Sequence, residues 1–235
     1  MVKFNDTKRH YENGYKKYGL NFQRKYPNEE LCRFFGRNFF STKIKKRKKI
    51  KILETGCGTS GNLKMISKEG FSAYGIDISS EAIKLSKKTL GKEKLECNLI
   101  VGDFTSMPYK NKNFSCVVDI FSSCCLDKKK GAKYIKEISR ILKKNGKFFS
   151  YFPSKKSDMF KTHYIKTMHD TDTIKSLKRK SAYKIDHLIR FMSMKQYCKL
   201  LIGNGFKIKY KEELMRTYFS GKEKFYFLVV EGIKV

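Results

Sequence analysis

From residue 50 onward, short apolar runs rich in β-branched and aromatic residues alternate with segments of helical periodicity. Strands that alternate with helices are typical of βα units, in which each helix connects neighbouring parallel strands. The sequence therefore predicts an α/β fold. We predict strands at residues 50–54, 72–77, 97–103, 115–120, 146–152, 206–211 and 224–230.

The helices between these strands are predicted at residues 61–68, 79–90, 129–143 and 193–201. The second begins at Ser79 or Ser80, with Glu81 in its first turn, a typical N-terminal capping pattern. The third places isoleucines on one face and should end at residues 143–146, which read Lys-Lys-Asn-Gly. Since only a short polar link joins the last two strands, we predict that they form an antiparallel pair.

The remaining segments flank this alternation. Residues 1–49 form a predicted helical N-terminal segment, with helices at 7–18 and 29–40 followed by the basic run 43–51. Residues 50–235 form the main domain, and an irregular polar insert of about residues 154–190 follows the fifth strand.

Composition restricts the compartment and the partners. Seven cysteines occur without any C-x-x-C pair, which favours free thiols in a reducing cytoplasm and predicts no metal site. No secretory leader and no long apolar span are evident. The net charge of +31 would attract nucleic acid, but most basic residues are lysines scattered along the chain, which is untypical of a dedicated nucleic-acid surface.

Three glycines, Gly56, Gly58 and Gly61, lie between the first strand and the first helix of the alternation. Glycine permits a tight turn there and lets the backbone approach a ligand at the helix N-terminus. Asp77 ends the second strand, where it can accept hydrogen bonds from ribose hydroxyls. A nucleotide-containing ligand follows from this pattern, and a dinucleotide fits it as well as other nucleotides do.

Glu54, two positions before Gly56, extends the pattern. With it the chain resembles the class I S-adenosylmethionine-dependent methyltransferases over about residues 50–152. The resemblance implies a doubly wound, seven-stranded, mostly parallel sheet of order 3-2-1-4-5-7-6 with the last strand antiparallel. It also implies that the methionine part of S-adenosylmethionine contacts Glu54, Gly56, Cys57, Gly58 and Gly61.

The resemblance implies further contacts at the ends of the next strands. Asp77 and Ile78 correspond to the ribose position, and Asp103 and Phe104 to the adenine position. Asp119 ends the fourth strand, beside the methyl group in the family. The N-terminal segment and the insert after the fifth strand usually recognise the substrate in the family, so we expect this role for residues 1–49 and about 154–190, with residues 7–26 as a lid over the cofactor. The carboxylates also suit the hydroxyl, amino and ammonium donors of this cofactor, whereas a pyrophosphate would be repelled by Glu54.

Methyl transfer needs orientation and, for some acceptors, a base. Asp119 is the candidate for that catalytic base, with His163 and His169 in the insert as weaker ones. The Asn/Asp-Pro-Pro-aromatic motif of nucleic-acid amino-methyltransferases is missing after the fourth strand, where residues 119–122 read Asp-Ile-Phe-Ser. Cys124 and Cys125 lack the neighbouring proline of RNA cytosine enzymes and fit buried small side chains.

These observations favour transfer of a methyl group to a small-molecule acceptor. An RNA or protein methyltransferase that uses the basic surface is the first alternative. A nicotinamide-dependent oxidoreductase or a non-catalytic nucleotide-binding module is an alternative of another class. The sequence identifies neither the methyl acceptor nor the oligomeric state.

Overall fold

The structure, a computed structural model, describes residues 4–162, 164–167, 170–177 and 187–235. Ten strands form two sheets in these ranges. They are β1 (Lys51–Thr55), β2 (Ser72–Asp77), β3 (Cys97–Val101), β4 (Phe114–Ile120), β5 (Leu142–Pro153), β6 (Tyr164–Thr167), β7 (Asp170–Leu177), β8 (Ile189–Arg190), β9 (Phe206–Tyr218) and β10 (Glu223–Lys234).

The helices lie between these strands and before them. They are α1 (Phe4–Tyr18), α2 (Glu29–Asn38), α3 (Ile44–Arg47), α4 (Gly61–Lys68), α5 (Ser80–Lys92), α6 (Lys128–Ile141), α7 (Asp158–Thr162) and α8 (Met194–Ile202). The side chain of Ser79 accepts a hydrogen bond from the Ala82 amide and so caps α5. Ser193 and Gln196 form a reciprocal capping box at α8.

The large sheet has seven strands in the order β3-β2-β1-β4-β5-β10-β9. Strands β1 to β5 are parallel, and β10 is antiparallel to both β5 and β9. This confirms the predicted doubly wound sheet, its strand order and its antiparallel end. Thr55 at the end of β1 is level with Ile76 on β2 and with Asp119 on β4, so the carboxyl ends of these central strands form one edge.

The predicted end of α6 was wrong. The helix stops at Ile141, and Leu142 already pairs with Phe114 of β4. Strand pairing therefore takes over at Leu142, and residues 143–146 belong to β5 instead of closing the helix. Asn145 adopts the left-handed conformation expected of a turn, with a φ of 62°.

The insert was predicted as irregular, and this was also wrong. Its described residues form α7 and a three-stranded antiparallel sheet of order β6-β7-β8. Ile174 and Ile189 face each other across β7 and β8, and both are buried. One apolar residue on each strand is too weak a pattern to reveal such a small sheet in the sequence.

Helix α2 belongs to the hydrophobic core. Leu31, Phe34 and Phe35 are fully buried in the same cluster as the strand residues. The Phe34 ring stacks on the Phe149 ring of β5, with 4.8 Å between centroids. A lid can therefore consist only of residues that precede α2.

Replacing Phe34 by alanine should lower the free energy of unfolding by about 3–5 kcal/mol, because a fully buried ring and its stacking partner are lost. Urea unfolding followed by circular dichroism measures this. Tyr26, which is 81% exposed, provides the matched control. Its replacement by alanine should change the same free energy by no more than about 0.5 kcal/mol. Equal losses in the two variants would contradict the assignment of α2 to the core.

Candidate cofactor and acceptor site

The turn from β1 into α4 carries the glycine motif at the carboxyl edge of the sheet. Gly56 and Gly58 have positive φ angles of 66° and 50°. A Cβ atom at Gly56 would lie 2.4 Å from Cβ of Ser122, so the turn packs against the loop after β4 only because residue 56 lacks a side chain. Gly61 begins α4, and a Cβ there would lie 2.8 Å from the carbonyl oxygen of Arg24.

The backbone donors of this turn are all used within the protein. The amides of Gly56 and Cys57 donate to the carbonyl of Ile76 on β2, and that of Ser60 donates to Cys57. The other two amides bind side chains: Gly58 N donates to Asp77 Oδ2 over 2.8 Å, and Thr59 N donates to Gln23 Oε1 over 3.2 Å. A pyrophosphate needs free amide donors at such a turn, and residues 56–60 offer none.

Two oxygen atoms beside the turn are buried without a hydrogen-bond partner, Oε2 of Glu54 and the hydroxyl of Tyr15. The other oxygen of Glu54 accepts a hydrogen bond from the side-chain amide of Asn62. Burial raises the pKa of Glu54 to about 8, Asn62 opposes this, and the charges of Asp77 and Asp119 add to it. An unsatisfied buried carboxylate oxygen is costly unless a ligand supplies a donor. An ammonium group of a ligand would supply such a donor to Glu54 Oε2.

A narrow slot of about 60 Å³ leads from this turn along the ends of β2 and β3. It brings together five of the residues predicted to bind the cofactor: Gly56, Asp77, Ile78, Asp103 and Phe104. Oδ1 of Asp77 accepts the Ser79 amide, and Oδ1 of Asp103 accepts the Thr105 amide, so both carboxylates are held in place by the backbone. Burial raises the pKa of Asp77 to about 6.

A second, larger cavity of about 1020 Å³ adjoins the slot. Its lining contains the predicted residues Glu54, Gly56, Cys57 and Gly61, together with aromatic and polar side chains of α1 and the segment after it. Gly58 contacts neither space and instead positions Asp77. The residues common to the slot and the cavity are Tyr11, Gln23, Gly56, Ile120 and Phe121.

Phe121 stands at this junction in a strained conformation. Its φ of 59° lies in the left-handed region, which costs a bulky residue about 1–3 kcal/mol. The amide of Phe121 donates to the carbonyl of Tyr151 on β5, which fixes the start of the loop. This backbone conformation turns the chain away from β4 where the two spaces meet. The ring of Phe121 packs towards Phe225 and Phe227.

Asp119 does not line either space. It is fully buried, and its carboxylate accepts hydrogen bonds from the amides and hydroxyls of Ser122 and Ser123. Burial raises the pKa of Asp119, while these hydrogen bonds act in the opposite direction. The geometry therefore does not favour the predicted role of Asp119 as the catalytic base. Its carboxylate instead binds the residues of the loop after β4 and fixes the conformation of that loop. His163 and His169, the weaker candidates, lie outside the described residues.

Several residues of the site were not predicted from the sequence as binding residues. Asn62, Gln23, Ser122 and His187 come from four different segments, and none lies in a motif with a recognisable spacing. Asn62 follows directly after Gly61 of the glycine motif, so its position beside the motif is the one sign of a binding role that the sequence contains. The others reach the site only through tertiary folding.

The fold and the site together define a class of protein. A doubly wound sheet with an antiparallel end carries, at its carboxyl edge, a glycine turn without free amide donors and a series of carboxylates suited to hydroxyl, amino and ammonium groups. Such an arrangement suits a nucleoside that bears an amino acid better than one that bears a phosphate chain.

Comparison with known proteins agrees with that class. A family model described as a methyltransferase domain matches residues 53–150. The 24-methylenesterol C-methyltransferase 3 of Arabidopsis thaliana is 31% identical over 105 residues, which are 43% of this chain and 28% of that protein. A SAM-dependent methyltransferase structure from Methanosarcina mazei has a TM-score of 0.66 at 21% identity, covering 79% of this chain and 92% of that chain.

The magnesium protoporphyrin IX methyltransferase of Synechocystis, solved with bound S-adenosylmethionine, has a TM-score of 0.62 at 12% identity over 99% of this chain and 97% of that chain. Residues 53–150 therefore match a methyltransferase domain, and the chain shares its fold with these two methyltransferase structures. The chain spans only 28% to 39% of the length of the first curated relatives that it matches.

We predict that the affinity for the cofactor depends on pH, because one oxygen of the buried Glu54 carboxyl has no partner in the protein. Below its pKa of about 8 the free carboxyl is protonated, and it must ionise to bind an ammonium group. Binding therefore releases a proton, and the affinity should rise about tenfold per pH unit between about pH 6.5 and 7.5. Calorimetric titration with S-adenosylmethionine measures this slope.

Glu54→Gln should bind more weakly and with a flat profile over the same range. Glu96→Gln, which alters an exposed carboxylate away from the site, should keep the slope of the parent protein. Identical slopes in the parent protein and Glu54→Gln would show that another group binds the amino end of the cofactor.

Proposed function

We propose that this protein transfers the methyl group of S-adenosylmethionine to a small-molecule acceptor that binds in the larger cavity. The observation that carries the proposal is the junction between the slot and the cavity at Tyr11, Gly56 and Phe121. A cofactor with its nucleoside in the slot and its amino acid near Glu54 has its sulfonium between the two, next to this junction.

The residues present fit the cofactor. Glu54 and Tyr15 would bind the amino group, and Asp77 would accept the ribose hydroxyls. Asp103 would accept the adenine amino group, with Ile78 and Phe104 against the ring. When bound, the cofactor supplies an electrophilic methyl group on a positively charged sulfur. The chain contributes orientation and the exclusion of water.

A small acceptor is favoured over a polymer by the walls of the cavity. Side chains of α1 and of the segment before α2 enclose it on one side, and His187 and Ile189 of the insert on the other. A volume of about 1020 Å³ is in the range of small-molecule pockets, which is about 300–1,000 Å³.

The basic run that favoured a nucleic-acid partner lies at the other edge of the sheet. It ends at Lys51, the first residue of β1, about 10 Å from Glu54 at about 3.3 Å per strand residue. Arg47 within it is buried, and its guanidinium binds Glu69 and the carbonyls of Phe40 and Thr42. RNA or protein methylation therefore remains the second candidate, supported only by the overall charge.

The curated relatives include enzymes named for sterols. The cavity of this chain differs from a purely apolar sterol pocket, since it carries Arg9, Asn13, Lys17 and Arg24 next to its aromatic side chains. We propose a smaller, more polar acceptor. An oxidoreductase that binds a dinucleotide is disfavoured by the absence of free amide donors at residues 56–60.

We further propose that α1 is the lid of the site and that the protein works in the cytoplasm. Glu12 on α1 accepts hydrogen bonds from the hydroxyls of Ser79 and Ser80, which join the lid to the start of α5. The slot beneath α1 is far smaller than a nucleoside, so α1 must move for the cofactor to enter. All seven cysteines lie in described parts of the chain and are free thiols. Within the described ranges, no helix has the length and hydrophobicity required to cross a membrane.

Deleting residues 1–22 should weaken S-adenosylmethionine binding at least tenfold, because Tyr15 and the rest of the lid are removed while α2 stays in the core. Calorimetry measures the affinity, and circular dichroism verifies the fold. Trimming to residue 45 also removes Phe34 and Phe35, and so reports on folding as well as on the lid. Unchanged affinity in the shorter deletion would contradict the lid.

The reaction is tested by measuring S-adenosylhomocysteine release with a panel of phenols, carboxylic acids, amines, thiols, one sterol and bulk RNA. We expect release with one of the polar small molecules and thermal stabilisation by S-adenosylmethionine but not by NAD. Release with RNA alone would favour the second candidate. Stabilisation by NAD alone would contradict the proposal.

A further inference from the structure

Three side chains from distant segments meet at the junction of the slot and the cavity. Tyr11 belongs to α1, Cys125 to the short 3-10 turn after β4, and His187 to the segment before β8. The Tyr11 hydroxyl lies 3.4 Å from Sγ of Cys125 and 3.4 Å from Nε2 of His187. The ring of His10 stacks on the ring of His187, with 4.2 Å between centroids.

This cluster connects the two spaces. Cys125 lines the slot, His187 lines the cavity, and Tyr11 lines both. Cys125 and His187 are only 6% and 4% exposed, so the cluster is nearly sealed from bulk water. None of the three belongs to the residues that we assign to the cofactor. The imidazole therefore lies on the cavity side of the junction, next to the Tyr11 hydroxyl.

The other acidic groups near the junction have different partners. Asp119 is bound by Ser122 and Ser123, while Glu54 and Asp77 stand on the cofactor side. An imidazole changes charge near neutral pH, which makes it the side chain best suited to take up a proton there. Within the described part of the cavity wall, the histidines are His10 and His187, and His187 is the more buried of the two.

We propose that His187 is the general base of the methyl transfer and that the acceptor carries a hydroxyl or a protonated nitrogen as its nucleophile. The inference rests on the proposed function. In the step, the lone pair of the acceptor oxygen or nitrogen forms a bond to the methyl carbon. The sulfur–methyl bond breaks and its electrons stay on sulfur, which becomes a neutral thioether. His187 takes the proton of the acceptor before or during this attack, which gives a protonated nitrogen the lone pair that it needs, and the proton afterwards passes to solvent.

Tyr11 and Cys125 are positioning residues in this arrangement. A hydrogen bond from Cys124 and contacts with His187 and Tyr11 lower the pKa of Cys125, against the effect of its burial. The titratable or charged groups that face the cluster from the elements packed against it are His10, Tyr15, Asp77, Cys124 and Arg190.

The proposal predicts a specific loss in His187→Gln. With the acceptor that the panel identifies, kcat should fall about 10²–10⁴-fold at neutral pH, since proton transfer is lost. The affinity for S-adenosylmethionine, measured by calorimetry, should change less than about threefold, because the cofactor does not contact this ring. The acidic limb of the pH profile of kcat should also disappear, a change that a purely structural role would not produce.

Two further variants keep the test decisive if the glutamine side chain disturbs packing. Free imidazole should restore the rate of His187→Ala, while Tyr11→Phe, which keeps the ring but loses the hydroxyl, should shift the pH profile with cofactor affinity preserved. Glu96→Gln, which alters an exposed carboxylate away from the site, should behave like the parent protein.

Several results would overturn the base assignment. These are an unchanged rate and profile in His187→Gln, a loss that follows His163→Gln or His169→Gln instead, or equal losses of rate and cofactor affinity without rescue by imidazole. Turnover of the sterol alone would also overturn it, because the proposed nucleophile is a hydroxyl or nitrogen of a polar molecule. No release from any acceptor would reject the proposed function itself, and the base assignment with it.

Discussion

The site depends on the hydrogen bonding of the turn from β1 into α4. Because the amides of residues 56–60 are all bound within the protein, the turn presents acceptors to a ligand instead of donors. Oε2 of Glu54 is the most demanding of these acceptors, since it is buried without a partner while Asn62 holds the other oxygen. We propose that the glycine spacing that elsewhere binds a phosphate chain is combined here with a carboxyl group that binds an ammonium group.

The N-terminal segment has two separate tasks that follow from burial. Helix α2 fills the space against β5 with Phe34 and cannot leave without opening the core. Helix α1 contacts the domain through Glu12, which binds the start of α5, and through Tyr15, whose side chain is buried beside the glycine turn. No described phenylalanine of α1 stacks on a strand as Phe34 of α2 does, and we propose that α1 opens while α2 stays in place.

The features that the sequence predicts well are those that repeat or that concern neighbours along the chain. The alternation of apolar strands and amphipathic helices is enough to predict the large sheet. Local motifs are enough to predict that Asp77 and Asp103 line the slot and that Glu54 lines the cavity beside it. The role of Asp119 was not predictable, because Ser122 and Ser123 fold back onto it. The cluster around His187 joins residues more than 100 positions apart, and no local pattern encodes such contacts.

The most direct test of the account is a crystal structure of the protein with S-adenosylhomocysteine. We expect the amino group to lie within hydrogen-bond distance of Glu54 Oε2 and the ribose hydroxyls to bind Asp77. The adenine ring should lie between Ile78 and Phe104. The homocysteine sulfur should then point towards the junction at Tyr11 and Phe121. A ligand whose amino group faces solvent, with Glu54 still unpartnered, would contradict it.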